Sequence, residues 1–349
     1  MNRIDRYLVR QIFAMTALVG LVLVSIYTFV VLVTELGQGT GSQLGALGLL
    51  RYVALLVPAN AYTLLPLVAL LGALLGLGGL AHQNELTAIR SAGVSWLRIG
   101  WAALMAGAVL GVLGFVLGNV LGPAGQDSAE GLKQGRSGAS HVRWLRDGDS
   151  VIRLQDLRAA DRVAGVTAYR LAPDQRLAAI VTADTAAYVD GAWQLHGVVR
   201  TTFSGDRVVV EHLPETTLKG GISPHVLQLF ILEDNSLSAS GLVRLIDYLR
   251  ANRLDASKYE MLLWRKLVEP FSVLVMVLLA VPFAAAQRLR ESGVGQRLLA
   301  GIAIGVLFYV SDKVAVSLGA VYQWSAMLSA ATPTVLLGAF ASWRLWRMR

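Results

Sequence analysis

The chain has 349 residues, 55% of them hydrophobic and 15% charged, with a net charge of +8 and no cysteine. Soluble domains carry about 25% charged residues, so this composition, with a mean hydropathy of +0.56, belongs to a membrane protein. The missing cysteines exclude disulfides, thiolate metal sites and a cysteine nucleophile, and the basic residues fall beside apolar runs rather than on a soluble basic face, which argues against nucleic acid as a partner.

A bilayer core about 30 Å thick requires about 20 apolar residues in a helix. Six runs meet that length: residues 12–33, 52–80, 99–121, 268–286, 298–318 and 327–343. The first is longer than the core of a signal peptide and no A-x-A site follows it, so it reads as a retained helix. The second holds Pro58 and Pro66, which predict a kink or tilt. Arginines cluster on alternate sides of the spans: Arg3, Arg6 and Arg10, then Arg90 and Arg98, then Arg288, Arg290 and Arg297, then Arg344, Arg347 and Arg349. The loops at 34–50 and 319–326 contain no Lys or Arg. This asymmetry predicts both termini on the cytoplasmic side.

Residues 124–258 differ in character. No spanning run occurs there, and turn signals recur at Asp147-Gly148, Pro173-Asp174, Asp190-Gly191 and Gly205-Asp206. Strand-like runs lie between them, at 151–154, 178–183, 193–199 and 207–213, which predicts an antiparallel β sandwich or jellyroll outside the cytoplasm. If its sheets are splayed, the interior is an apolar groove able to hold acyl chains. After it, Ser240 is expected to cap a helix through Arg250 that places Leu242, Leu245, Ile246 and Leu249 on one face, and a second helix is expected to start near Ala256 and enter the membrane. The expected architecture is an α-helical membrane protein of six transmembrane helices with an inserted all-β, jellyroll-like domain. Its divisions are residues 1–123, 124–258 and 259–349.

Catalytic signatures are lacking. No Walker A loop, HExxH or GxSxG occurs, and the five histidines (His82, His141, His196, His212, His225) show no ligand spacing. No catalytic, cofactor-binding or metal-binding residue is assigned. The ionisable residues near the membrane remain. Arg51, Arg265, Lys266 and Lys313 all lie toward the predicted outer face, against the positive-inside bias. One reading is an anionic ligand whose phosphates are held by Lys and Arg. The other is snorkelling side chains, or an internal pair with Asp312. Glu35 and Glu269 read as helix caps or rims.

The polar segment at 82–93 separates two apolar runs. Leu86, Ile89 and Gly93 share one face of a short helix, with Asn84 and Glu85 exposed near its start. Such a helix across the cytoplasmic ends of two spans is either a lever for a soluble motor or an ordinary polar loop.

PLVALLGALLGLGGLAHQNELTAIRSAG at 66–93 resembles the signature of the lipopolysaccharide-export permease family LptF/LptG (YjgP/YjgQ), and is closer to its LptG members. DRYLVRQIF at 5–13, residues 236–280 and GVLFYVSDKV at 305–314 resemble further segments of that family. The resemblance implies six helices with a periplasmic jellyroll, in the bacterial inner membrane. It implies partners: an LptF-like permease, a dimer of an LptB-like ATPase that binds the ATP and Mg, and an LptC-like bitopic protein. It implies that lipopolysaccharide is extracted from the periplasmic leaflet and passed to a periplasmic bridge toward the outer membrane. Residues 82–93 become a coupling helix, with Glu85 the main ATPase contact beside Asn84, Leu86, Ile89 and Arg90. Moving acyl chains into water costs about 0.8 kcal/mol per CH₂, so such a job needs an energy source and a dry path.

One departure matters. Some members carry lysines just after the first span, whereas VLVTELGQGTGSQ at 31–43 has none. Arg51, Arg265 and Lys266 are the expected replacements for binding lipid phosphates. Two rivals stay open: another ABC-driven lipid or lipoprotein permease, and a membrane-anchored periplasmic receptor or scaffold.

Overall fold

The computed structural model describes residues 3–134, 143–159, 162–172, 176–189, 192–204, 207–218, 227, 237–286, 294–322 and 324–348. They form two compact units. One comprises Met1–Arg136, Ser238–Leu242 and Ser257–Arg349, and the other Ser137–Leu237 and Val243–Ala256.

Six helical stretches in the first unit are long and apolar enough to cross a membrane: Arg3–Gly37, Leu44–His82, Trp96–Lys133, Ser257–Ala285, Gly295–Gly319 and Ala326–Arg347. The six predicted spans fall on them. The helices of this unit before the sheet are α1 (Arg3–Gly37), α2 (Thr40–His82), α3 (Glu85–Ser91), α4 (Trp96–Val116), a π-helical turn (Leu117–Leu121) and α5 (Gly122–Gln134). After the sheet come α6 (Ala239–Ala251), α7 (Ser257–Ala285), α8 (Val294–Val321) and α9 (Ala326–Arg347).

The helix that holds the two prolines has its dihedral break away from them. The non-helical residue within α2 is Gly45, at φ 72° and ψ 169°, and the helix continues through Pro58 and Pro66. Glycine adopts that positive φ without a Cβ clash. Prolines inside a membrane bundle are tolerated because neighbouring groups satisfy the backbone they free. Arg297 also differs from expectation. It belongs to the first turn of α8 rather than to a loop, and only 4% of it is exposed. Its aliphatic chain lies against Gly78 of α2, where a Cβ would sit 3.0 Å from the Arg297 Cδ. Arg288, Arg290 and Arg349 lie outside the described residues.

α2 is the axis of the bundle. Of its most apolar stretch 78% is buried inside the chain, against 11% for each of α1 and α8. Glycines set how closely the neighbours approach. A Cβ on Gly72 would lie 2.4 Å from the Thr16 Cα of α1, and one on Gly111 would lie 2.8 Å from the Pro270 carbonyl of α7. Between membrane helices, packing at small residues supplies association that apolar surface alone does not.

In the second unit six strands form one antiparallel sheet in the order β1 to β6: Arg143–Asp147, Ser150–Ala159, Arg162–Leu171, Leu177–Val189, Ala192–Ser204 and Arg207–Leu218. The four expected runs fall in β2, β4, β5 and β6, and Gly148 at φ 55° makes the expected first turn. Pro173-Asp174, Asp190-Gly191 and Gly205-Asp206 lie outside the described residues, as do His141 and His225.

A sandwich predicts two sheets, whereas the described strands make one sheet with a transverse crease. Gln155, Gly165, Asp184, Gly197 and Pro214 are opposite one another on successive strands, and all drop out of the pairing. Gly165 and Gly197 have φ of 67° and 63°, and Pro214 has no N–H to donate. Across this line the buried positions step by three instead of two: Val163 to Val166, Ala183 to Ala186, Leu195 to Val198. Both halves of β3, β4 and β5 therefore face a single apolar cluster, which also takes in Trp193 and Leu227. A creased meander encloses an interior as two splayed sheets would, and the β domain is jellyroll-like in that respect.

α6 starts one residue before expectation, and Ser238 rather than Ser240 caps it, its Oγ accepting from the Gly241 N–H at 3.1 Å. Leu242, Leu245, Ile246 and Leu249 are buried as their spacing predicts. Within the β unit, Tyr248 donates its hydroxyl to the Arg146 carbonyl, and Asn252 Oδ1 accepts from the Gly148 N–H at 2.8 Å.

The α1–α2 contact gives a direct test. Gly72→Ala forces a methyl group into Thr16 and should destabilise the chain by about 1–3 kcal/mol. Gly79→Ala, whose added Cβ meets nothing within 4 Å, should be neutral or slightly stabilising. Thermal unfolding in detergent measures both. Equal melting temperatures for the two variants would contradict the packing described.

Candidate functional site

Contacts order the two ends of the bundle. Gly78 meets Arg297 near the end that carries α3, and Gly305 meets Leu67 further along. Arg51, Arg265, Lys266, Asp312 and Lys313 all lie toward the opposite end.

At the first end, residues 82–93 fold as a turn, the short helix α3 over Glu85–Ser91, and a second turn. Asn84 at φ 61° and Gly93 at φ 86° make the two reversals, which fixes α3 between α2 and α4. Leu86 is buried, Ile89 packs partly against the bundle core, and Asn84 is exposed. The Arg90 guanidinium lies 4.9 Å from the centre of the Trp96 ring, a cation–π contact. Glu85, expected to be exposed, is half-buried, and its Oε2 accepts a hydrogen bond from the Tyr7 hydroxyl of α1 at 2.7 Å. A second tie lies beside it: Arg98 of α4 pairs with Asp5 of α1 at 3.2 Å. α3 is thus held by covalent continuity to α2 and α4 and by one hydrogen bond to α1, beside which the start of α4 pairs with α1.

Toward the other end, the four expected cations divide into two pairs. Arg265 makes an ion pair with Asp312 at 2.8 Å, joining α7 to α8. Lys266 is only 9% exposed, and its ammonium donates to the Gly118 carbonyl at 2.8 Å. The reason lies in the π turn. The Gly122 N–H bonds to the Leu117 carbonyl, and residue 123 is a proline without an N–H, so Gly118 lacks the backbone donor a π turn would supply. Lys266 fills that gap, with the Tyr62 ring 5.8 Å away. Arg51 and Lys313 are exposed, the Lys313 ammonium 5.5 Å from the Tyr309 ring centre. Two of the four cations are therefore engaged inside the bundle, and two are placed where an anion can reach them.

Sequence reasoning missed a polar node at this end. Glu35, at the end of α1, accepts from Thr40 Oγ1 at 2.7 Å and Tyr52 Oη at 3.2 Å, and pairs with Lys133 of α5 at 2.9 Å. The Lys133 ammonium lies 4.7 Å from the Tyr52 ring centre. One carboxylate thus gathers α1, α2 and α5, more than the rim or cap expected. No single stretch of sequence signals it, because Glu35 and Lys133 are 98 residues apart. Among the described residues no group of three or more His, Cys, Asp or Glu could hold a metal ion. His196 pairs with Glu215 at 3.0 Å on the exposed sheet.

Known proteins resemble this chain over nearly its whole length. The family described as "Lipopolysaccharide export system permease LptF/LptG" matches residues 6–347. The chain is 28% identical over 353 residues to the lipopolysaccharide export system permease protein LptG of Escherichia coli K12, covering 99% of this chain and 98% of that protein. It is 30% identical over 361 residues to the LptG protein of Haemophilus influenzae, covering 100% and 99%. With a match that runs nearly end to end, the chain belongs to the LptF/LptG family of lipopolysaccharide export system permeases.

Proposed function

We propose that this chain is the permease subunit of an ABC transporter that extracts lipopolysaccharide from the periplasmic leaflet of the inner membrane. In this reading it passes the lipid to a periplasmic bridge toward the outer membrane. The observation that carries the proposal is the near full-length match to lipopolysaccharide export permeases, on a chain with no nucleotide-binding loop of its own. ATP and Mg belong to a separate LptB-like ATPase dimer. An LptF-like permease and an LptC-like bitopic protein complete the set. Both termini and α3 face the cytoplasm, and the β domain faces the periplasm. The arginine asymmetry supports that orientation. α1 and α8 leave apolar faces uncovered, with Leu21 and Phe29 on one and Leu307 on the other. Those faces suit lipid or a second permease.

In this scheme α3 docks in the ATPase through Asn84, Glu85, Leu86, Ile89 and Arg90. Leu86 and Ile89 hold the helix on the bundle, and the polar residues meet the motor. Arg51 and Lys313 are the first candidates for lipid phosphates. Arg265 and Lys266 contribute by holding α7 in place beside them. The apolar interior of the creased sheet offers acyl chains a dry path after extraction. A release system for another lipid is the nearest alternative, and a receptor that only anchors its β domain is the more distant one.

Two experiments test the reading. First, the tagged chain expressed with its neighbours should bring down an ATPase whose hydrolysis lipopolysaccharide stimulates. Glu85→Ala should lower association or stimulated turnover by roughly tenfold, the scale of a lost interfacial charge contact. An ATPase absent from the wild-type preparation would move the receptor reading to the front. Second, Arg51→Ala combined with Lys313→Ala should weaken lipopolysaccharide capture in proteoliposomes by about three- to tenfold. Unchanged capture would remove those two residues from the lipid site.

A further inference from the structure

α1 is attached unevenly. Its buried residues are Leu8, Ile12, Thr16 and Val19, all in its first half. No described residue from Gly20 to Gly37 is buried, and the far end is held at Glu35. α2, by contrast, is deeply buried from Leu65 to Ala81, the half that leads to α3. A displacement of α3 meets strong resistance in α2, because every neighbour would have to repack. It meets less resistance in α1. α3 and the start of α4 are bonded directly to the first turns of α1, through Tyr7 to Glu85 at 2.7 Å and Asp5 to Arg98 at 3.2 Å.

We propose that Tyr7, with the Asp5–Arg98 pair, is a positioning residue that carries motion of the coupling helix to α1, so that α1 is the span the motor tilts. Glu85 then has two roles on two oxygens. Oε2 holds Tyr7, and Oε1, which has no hydrogen bond to any described residue, is left for a cation of the ATPase. α1 has 35 residues, about 50 Å of helix. A shift at Tyr7 then turns α1 about its close contact with α2 between Thr16 and Gly72. The inference rests on residues 84–90 being the segment that docks the ATPase.

Tyr7→Phe separates docking from transmission, because it keeps the ring and removes only the hydroxyl. The complex is purified with its ATPase and placed in nanodiscs. The expected result is wild-type association, with lipopolysaccharide-stimulated hydrolysis lowered about three- to tenfold, the scale of losing one hydrogen bond to a charged group at a partly exposed site. A second readout uses the absence of native cysteine. Spin labels at Ile26→Cys on α1 and Val112→Cys on α4, both exposed, report whether ATP changes the distance between the two helices. The wild-type distance should change with ATP, and the Tyr7→Phe change should be smaller. The charge swap Asp5→Arg with Arg98→Asp should retain more stimulated hydrolysis than either single variant. If the ATPase associates and Tyr7→Phe matches wild type in hydrolysis and in label distance, the transmission path is wrong while the docking reading stands. If no ATPase associates with the wild type, both are overturned.

Discussion

The close approach of α1 to α2 is the contact on which the rest of the membrane unit depends. Lipid tails are as apolar as the side chains between helices, so burial of apolar surface does little to hold spans together. What remains is dispersion at short range, and that requires residues without bulk. Gly72 and Gly76 let α1 lie against α2 with Thr16, Gln11 and Ile12 at backbone distance, and Gly107 and Gly111 do the same between α4 and α7. α2 thereby becomes a fixed axis. Helices packed on one side of it keep apolar faces that the chain itself does not cover.

Polar contacts at the two ends of the bundle follow from that axis. Where α1 meets α3, two bonds tie the first turns of α1 to α3 and to the start of α4. Where α1 ends, Glu35 collects Thr40, Tyr52 and Lys133. Between them no described residue of the second half of α1 is fully buried, and only Leu23 and Leu32 pack partly against the clusters of α2. A rod bonded at its first turns and packed less deeply beyond them can turn without repacking the axis.

Much of this was legible in the sequence, and what was not has identifiable causes. The six spans and the strand runs are local patterns, so hydropathy and alternation reveal them. Leu242, Leu245, Ile246 and Leu249 declare their helix by spacing alone. Pro58 and Pro66 leave α2 helical, because a bundle satisfies backbone groups that water would otherwise have to reach, and its non-helical residue is Gly45. Lys266 looked like a ligand because its acceptor is 148 residues away. Pro123, five residues after Gly118, was the available hint that a carbonyl there needed another donor. Likewise, no local pattern announces the bond between Glu85 and Tyr7, 78 residues distant. The crease in the sheet left only Gly165, Gly197 and Pro214 as traces, since it depends on five strands lining up their interruptions.

The account stands or falls on α3 meeting a motor. A photo-crosslinking amino acid placed at Thr87, exposed on α3, should capture the co-expressed ATPase in intact membranes, and the same group at Leu47, 83% exposed toward the opposite end of the bundle, should not. Capture from Thr87 alone is the result this account predicts. Capture of the ATPase from Leu47 but not from Thr87 would contradict it, because the motor would then sit at the wrong end of the bundle.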